Sequence, residues 1–172
     1  MRGFTFIEML IVVSIGAIVL ALATPSFGKM IKNNRLTSRI KSYTDTLNLA
    51  RSEAIKRRIS VTVCKSSDGA SCVTSGDLSQ GWIMFTDDKT TVGTVDAEET
   101  ILQVFEAMHS TLDFTGVGTG GSNIANYVTY NINGTTQDSG DITLCDDRTG
   151  NFGKNIRVST LGRNRTTIAV SC

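Results

Sequence analysis

Apolar positions along the chain change rhythm twice, and each rhythm predicts a different element. From Phe4 to Ala23 almost every position is apolar or small, with one charge, Glu8, in twenty residues. At about 1.5 Å per helical residue this run is long enough to cross a ~30 Å hydrocarbon layer, so it predicts a membrane-spanning helix. Pro25 follows, where a kink rather than an end is expected if neighbours support the helix. Leu36, Ile40, Tyr43, Leu47, Ala50 and Ala54 then recur at steps of four and three, one helical stripe reaching about Arg58. If continuous, such a helix is roughly 80 Å long.

From Ser60 the period drops to two. Val61 and Val63 alternate with Thr62 and Cys64, and further strands are predicted at Trp82 to Phe85, Ile101 to Phe105 and Tyr127 to Ile132. Three shorter ones follow at Ile142 to Cys145, Ile156 to Thr160 and Thr166 to Val170, linked by Asp146 to Lys154 and Leu161 to Asn164. Asp87-Asp88-Lys89, Gly116 to Ser122 and Asn133-Gly134 carry turn chemistry. The fold class expected is α+β, a long N-terminal helix packed by its second half against a small antiparallel domain.

Glu8 changes the reading of the first segment, because a carboxylate inside a bilayer costs on the order of 2.5 to 3.5 kcal/mol and therefore needs a partner. A cleavable signal peptide fits poorly, since the apolar run exceeds about 15 residues and no small-x-small site follows it. The small residue precedes the run instead. Gly3-Phe4-Thr5-Phe6-Ile7-Glu8 resembles the processing site of type IV pilins and pseudopilins. The resemblance implies cleavage by a prepilin peptidase between Gly3 and Phe4, methylation of the new amine, and a Glu8 that neutralises the N-terminal amine of a neighbouring subunit during filament assembly. It divides the chain into a leader, 1–3, a transmembrane or filament-core half-helix, 4–28, and a head, 29–172, held at the inner membrane with the head in the periplasm before assembly and on the pilus afterwards. Arg2 supplies a positive-inside charge, although the leader is unusually short.

One Pro and sixteen Gly in 172 residues suit a helix feeding a β-rich domain of about 115 residues. The net charge of +1 hides an asymmetry. Residues 1–65 hold eleven Lys/Arg against three Asp/Glu, residues 66–141 one against eleven, and residues 142–172 five against two. Patches rather than net charge therefore choose the partners. The basic residues of the helix, from Lys32 to Lys41 and from Arg51 to Arg58, are read as a solvated face and subunit contacts. Cys64, Cys72, Cys145 and Cys172 admit three pairings; Cys64 with Cys72 and Cys145 with Cys172 are expected, in an oxidising compartment. No Cys-x-x-Cys pair favours zinc.

Enzymatic chemistry is not expected. His109 has no nucleophile or carboxylate at a recognisable spacing. Asp87-Asp88 and Asp138 to Asp141 lack the ligand series of a calcium loop and read as solvated acidic turns. No metal, cofactor or phosphate-cradling loop is expected.

Ala50-Arg51-Ser52-Glu53-Ala54, Gly81-Trp82-Ile83-Met84-Phe85 and Thr143-Leu144-Cys145-Asp146 resemble the GspH/FimT family of minor pilins and pseudopilins. That resemblance implies two small sheets against the helix and a place at or near a filament tip, with other major and minor pilins as partners. Near the end, Gly162-Arg163-Asn164-Arg165 sits between two predicted strands. Glycine permits a tight turn, two arginines two apart share a side of an extended segment, and the planar fork of arginine suits phosphate. The string is similar to the Gly-Arg-x-Arg motif of the DNA-binding FimT-like minor pilins of competence pili. This implies DNA contact by Arg163 and Arg165 during natural transformation, with Gly162 shaping the turn and Asn164 within the motif. Lys154 and Arg157 join them on charge alone, because no acid lies within residues 148–172. DNA held this way is held by its phosphates, without base reading. Two rival readings are a structural minor pilin that primes or caps assembly and a type II secretion pseudopilin of the H kind.

Overall fold

The computed structural model of the chain describes the backbone of residues 3–87, 91–108 and 111–172, and the side chains of all of these except 21–26. Arg2, Asp88, Lys89, His109 and the side chain of Pro25 lie outside the described residues.

Helix α1 runs Phe6–Arg57 without a break, so the backbone passes through position 25 as helix. Thr5 opens it, its hydroxyl accepting the Glu8 amide at 3.3 Å. This is half of a capping box, in which the residue three past the cap is an acid. At the far end Lys56 and Arg57 meet Glu53, and Arg58 takes a φ of 57° that stops the helix.

The chain divides into two compact units, residues 1–35 and 36–172. The first is helical, with Phe6, Ile7, Leu10, Ile11 and Val12 among its exposed side chains. Among the described residues no helix is long and apolar enough to cross a membrane. The expected span runs on from Leu20 into residues 21–26, whose side chains are outside the described set.

In the second unit Leu36, Ile40, Tyr43, Leu47, Ala50 and Ala54 are all buried, which is the stripe visible in the sequence. Against it lie eight strands: β1 Val61–Lys65, β2 Trp82–Thr86, β3 Ile101–Phe105, β4 Asp113–Gly118, β5 Tyr127–Tyr130, β6 Gly140–Cys145, β7 Gly153–Val158 and β8 Asn164–Val170. They form two antiparallel four-stranded sheets, β3-β2-β1-β5 and β4-β6-β7-β8. Tyr43 joins the sheets to the helix, its ring edge-on to Trp82 of the first and Phe114 of the second, with centroids 5.1 Å away in each case. Trp82 also donates its indole N–H to Thr46 at 3.3 Å.

Several strand expectations need correction, among them that β6 and β8 begin two residues early, at Gly140 and Asn164, which puts Asn164 and Arg165 inside a strand rather than between two. Gly116 to Gly118, read as a turn, belongs to β4. These glycines answer a close approach, because a Cβ at Gly116 would stand 2.5 Å from the Ile124 carbonyl oxygen and one at Gly118 2.6 Å from that of Ser122. β5 ends at Tyr130, two residues early, because Asn131 and Gly134 close a turn. β7 starts at Gly153, so Lys154 is within a strand rather than in a linker. The alternation expected in β1 is also absent from its burial. Every residue of β1 and β2 is buried, because the outer face of their sheet, with Cys64, Ile83 and Phe85, is covered by Cys72, Val95, Ile101 and Tyr127.

Disulfides join Cys64 to Cys72 and Cys145 to Cys172. Asp87 and Asp138, read as solvated, are buried and serve the fold. Asp87 accepts from the Thr62 hydroxyl at 2.6 Å and the Gly93 amide at 2.8 Å. Asp138, 5% exposed, accepts the Asn123 and Thr129 amides. Burial raises its carboxyl pKa against the pull of those two amides.

Candidate nucleic-acid interface

Strands β7 and β8 form a hairpin whose turn spans residues 159–163. The turn is closed by Gly162 donating its amide to the Ser159 carbonyl at 2.8 Å and by Ser159 donating to Arg163 at 3.0 Å. Gly162 has a φ of 71°, and a Cβ there would stand 2.0 Å from the Gly134 carbonyl oxygen. Both the conformation and the space therefore require glycine. Arg51 of α1 locks the two turns together, donating Nε to the Gly134 carbonyl at 2.9 Å and Nη2 to that of Leu161 at 3.1 Å.

This scaffold holds Arg163 and Arg165 in the open. Both side chains are exposed, and neither has an acidic partner among the described residues. Asn164, between them, is turned toward the helix. Its amide nitrogen donates to Asn48 at 3.2 Å, and its oxygen accepts the Tyr130 phenol at 3.1 Å. Burial pushes that phenol up to about 12. By the pleat, the residues either side of Asn164 face away from the helix. Asn164 therefore sets the orientation of the arginines, while its own side chain is committed to the fold.

Arg157 and Lys154 separate. The register places Arg165 opposite Arg157 and Arg157 opposite Asp141, and these three side chains line an open groove of about 490 Å3 with Asn155 and Thr167. Arg157 is not free of acids, as the local sequence suggests, but makes a two-pronged pair with Asp141, Nε to Oδ1 at 3.0 Å and Nη2 to Oδ2 at 2.8 Å. That bond raises the guanidinium pKa further. Arg148 likewise meets Asp146 at 2.7 Å and lies 4.4 Å above the Phe152 ring. Lys154 is on the opposite face of the sheet, beside α1, where it lines a second cleft of about 230 Å3 with Lys41, Ile40 and Ile168. The structure thus groups Arg157 with Arg165 and places Lys154 with Lys41.

Arg51, expected on a solvated helix face, instead bonds across 110 residues to the hairpin turn, and Asp141, expected in a solvated acidic turn, lies in β6 and pairs with Arg157 across 16; Asn48, bonded to Asn164 across 116, carries no signal in a linear reading. Among the described residues no group of three or more His, Cys, Asp and Glu is arranged to hold a metal ion. The arrangement offers cations on a solvent-facing surface, a setting that suits an extended anion.

The family described as Type II transport protein GspH matches residues 40–162, and the Prokaryotic N-terminal methylation motif matches residues 1–24. No curated protein matches the chain in sequence. Among solved structures, the type IV minor pilin FimU of Pseudomonas aeruginosa is similar at a TM-score of 0.58 and 19% identity, over 79% of this chain and 90% of that one. The minor pseudopilin EpsH from the Type 2 Secretion System of Vibrio cholerae is similar at a TM-score of 0.53 and 10% identity, over 78% and 97%. At these identities the likeness is one of fold, a long helix carrying two antiparallel sheets in the manner of type IV pilins.

Proposed function

We propose, for a chain that belongs to the type II transport protein GspH family, the role of a minor pilin whose head binds DNA at the surface of a type IV pilus. Residues 1–24 match the N-terminal methylation motif, which supports cleavage after Gly3 by a prepilin peptidase, methylation at Phe4 and membrane anchoring before assembly. Glu8 then has the amine of a neighbouring subunit as its partner. Such a subunit assembles with other pilins, and its part in transformation is to catch DNA that filament retraction draws inward.

The observation that carries the DNA reading is the pair Arg163 and Arg165. They are exposed, pair with no acid among the described residues, and stand at the end of a turn and the start of β8, fixed by Gly162, Arg51 and Asn164. Cations held this way bind phosphates without reading bases, so two to four contacts give a salt slope of roughly −2 to −4 on duplex DNA. Full-length protein in detergent micelles, titrated into a fluorescein-labelled duplex of random sequence across a salt series, tests the reading. Binding that weakens with salt and is lost in R163Q/R165Q is expected. Absent binding, or equal binding by a folded R163Q/R165Q, rejects it. The likeness to a secretion pseudopilin supports a second reading, in which the same arginines meet a protein subunit. That reading predicts no DNA binding and loss of filament assembly in the same variant.

A further inference from the structure

Asp141, Arg157 and Arg165 stand in a row on three neighbouring strands, at paired register positions, and face one groove. Arg157 gives both prongs of its guanidinium to Asp141. Yet the pair is wet, with 70% of the Arg157 side chain and 31% of that of Asp141 exposed to solvent. Exposed ion pairs are weak holds. A phosphodiester offers the same fork two oxygens in a similar geometry. Arg165, directly across from Arg157, has no carboxylate of its own among the described residues.

We infer that Asp141 is a built-in competitor for phosphate, and that bound DNA draws Arg157 off Asp141 so that it joins Arg165 on the DNA backbone. The inference rests on the DNA-binding reading above and extends its site from the hairpin tip across the open face of β6, β7 and β8. It also gives the groove a preference. A lone small anion gains little from a guanidinium that is already neutralised. A strand held at Arg163 and Arg165 presents its next phosphate at high effective concentration and wins the exchange. Asp141 thus favours polyanions over inorganic phosphate.

A double-mutant cycle on the full chain in detergent micelles, read by duplex anisotropy, separates this exchange from a simple change of charge. D141N is expected to tighten binding roughly three- to tenfold and to steepen the salt slope by about one, since a freed carboxylate no longer takes up a cation. R157Q is expected to weaken binding at least threefold more in the D141N background than in wild type. Inorganic phosphate is expected to compete more effectively against D141N than against wild type. Equal costs of R157Q in the two backgrounds overturn the inference, because Asp141 then acts only as a bulk charge. If R163Q/R165Q abolishes binding while the cycle is additive, this inference falls and the DNA reading stands. If neither wild type nor D141N binds DNA, both fall. Thermal melts of each variant confirm that the comparison is between folded proteins.

Discussion

The two sheets of the head are built from strands of similar length, yet they meet solvent in opposite ways. In β3-β2-β1-β5 both faces of the central strands are buried, one against α1 and the other under Cys72, Val95, Ile101 and Tyr127, the first of these tied down by its bridge to Cys64. In β4-β6-β7-β8 only the inner face is buried, with Phe114, Ile142, Leu144, Ile156 and Val158 in the core. The outer face shows Asp141, Arg157, Arg165, Asn155 and Thr167 to solvent. A sheet covered on both sides is a foundation, and one with a polar open face has a surface to use. The candidate DNA contacts fall on the second, which makes the contrast testable.

The largest expected effect is on the covered sheet. Phe85, fully buried on its second face, loses about 3 to 5 kcal/mol of stability as Phe85→Ala. Thr143→Ala, on the open sheet, loses one hydrogen bond from Asn155 and costs about 1 kcal/mol. Urea unfolding of both variants reads the difference, and equal losses would erase the distinction between the sheets. Next comes Gly162→Ala, which forces a side chain into a left-handed turn and against the Gly134 carbonyl. It is expected to cost more than about 1 kcal/mol and to weaken DNA binding, since the turn aims the arginines.

Acid comes third. The Asp68 carboxylate, in the loop closed by the Cys64–Cys72 bridge, accepts from the Ser71 hydroxyl, the Ala70 and Ser71 amides and the Ser66 hydroxyl, and these hold its pKa well below the usual range. A folded value below the unfolded one gives stability that is present above about pH 4 and lost as pH falls through the folded value. Asp138 has the opposite sign. Its raised pKa gives stability present below about pH 4 and lost as pH rises through the folded value. Melting temperature against pH should therefore fall less steeply on the acid side in D68N than in wild type. An unchanged acid limb contradicts the assignment. The smallest effect is that of Lys154→Gln, which faces α1 rather than the groove. It should change DNA affinity by less than about twofold, against loss of binding in R163Q/R165Q, because one distant charge adds little.

What the sequence discloses follows from the range of each interaction. The stripe from Leu36 to Ala54 and strand β3 are written in local periodicity, so they are legible. β4 is not, because Gly116 and Gly118 imitate a turn, and their reason lies in the backbone of Ile124 and Ser122. The covering of β1 and β2 is hidden for a similar cause: alternation predicts one open face, and Cys72, Val95, Ile101 and Tyr127 close it from distant parts of the chain. At the site, Gly162 and the two arginines stand out through the resemblance to the Gly-Arg-x-Arg motif, which their spacing alone would not single out. The pairing of Arg157 with Asp141 depends on strand register, which no local pattern fixes. The face of Lys154 follows from its place inside β7, beside the register shift at Gly153 and Lys154.

The most direct test of the claim that the open sheet is the DNA-binding surface is a backbone chemical-shift map of the full-length protein in micelles during titration with a short duplex. The account predicts shifts at Asp141, at Arg157, and from Arg163 to Thr167, with the covered strands, Val61–Lys65, Trp82–Thr86 and Ile101–Phe105, unmoved. Shifts confined to the basic end of α1, or spread over the covered sheet, would contradict it.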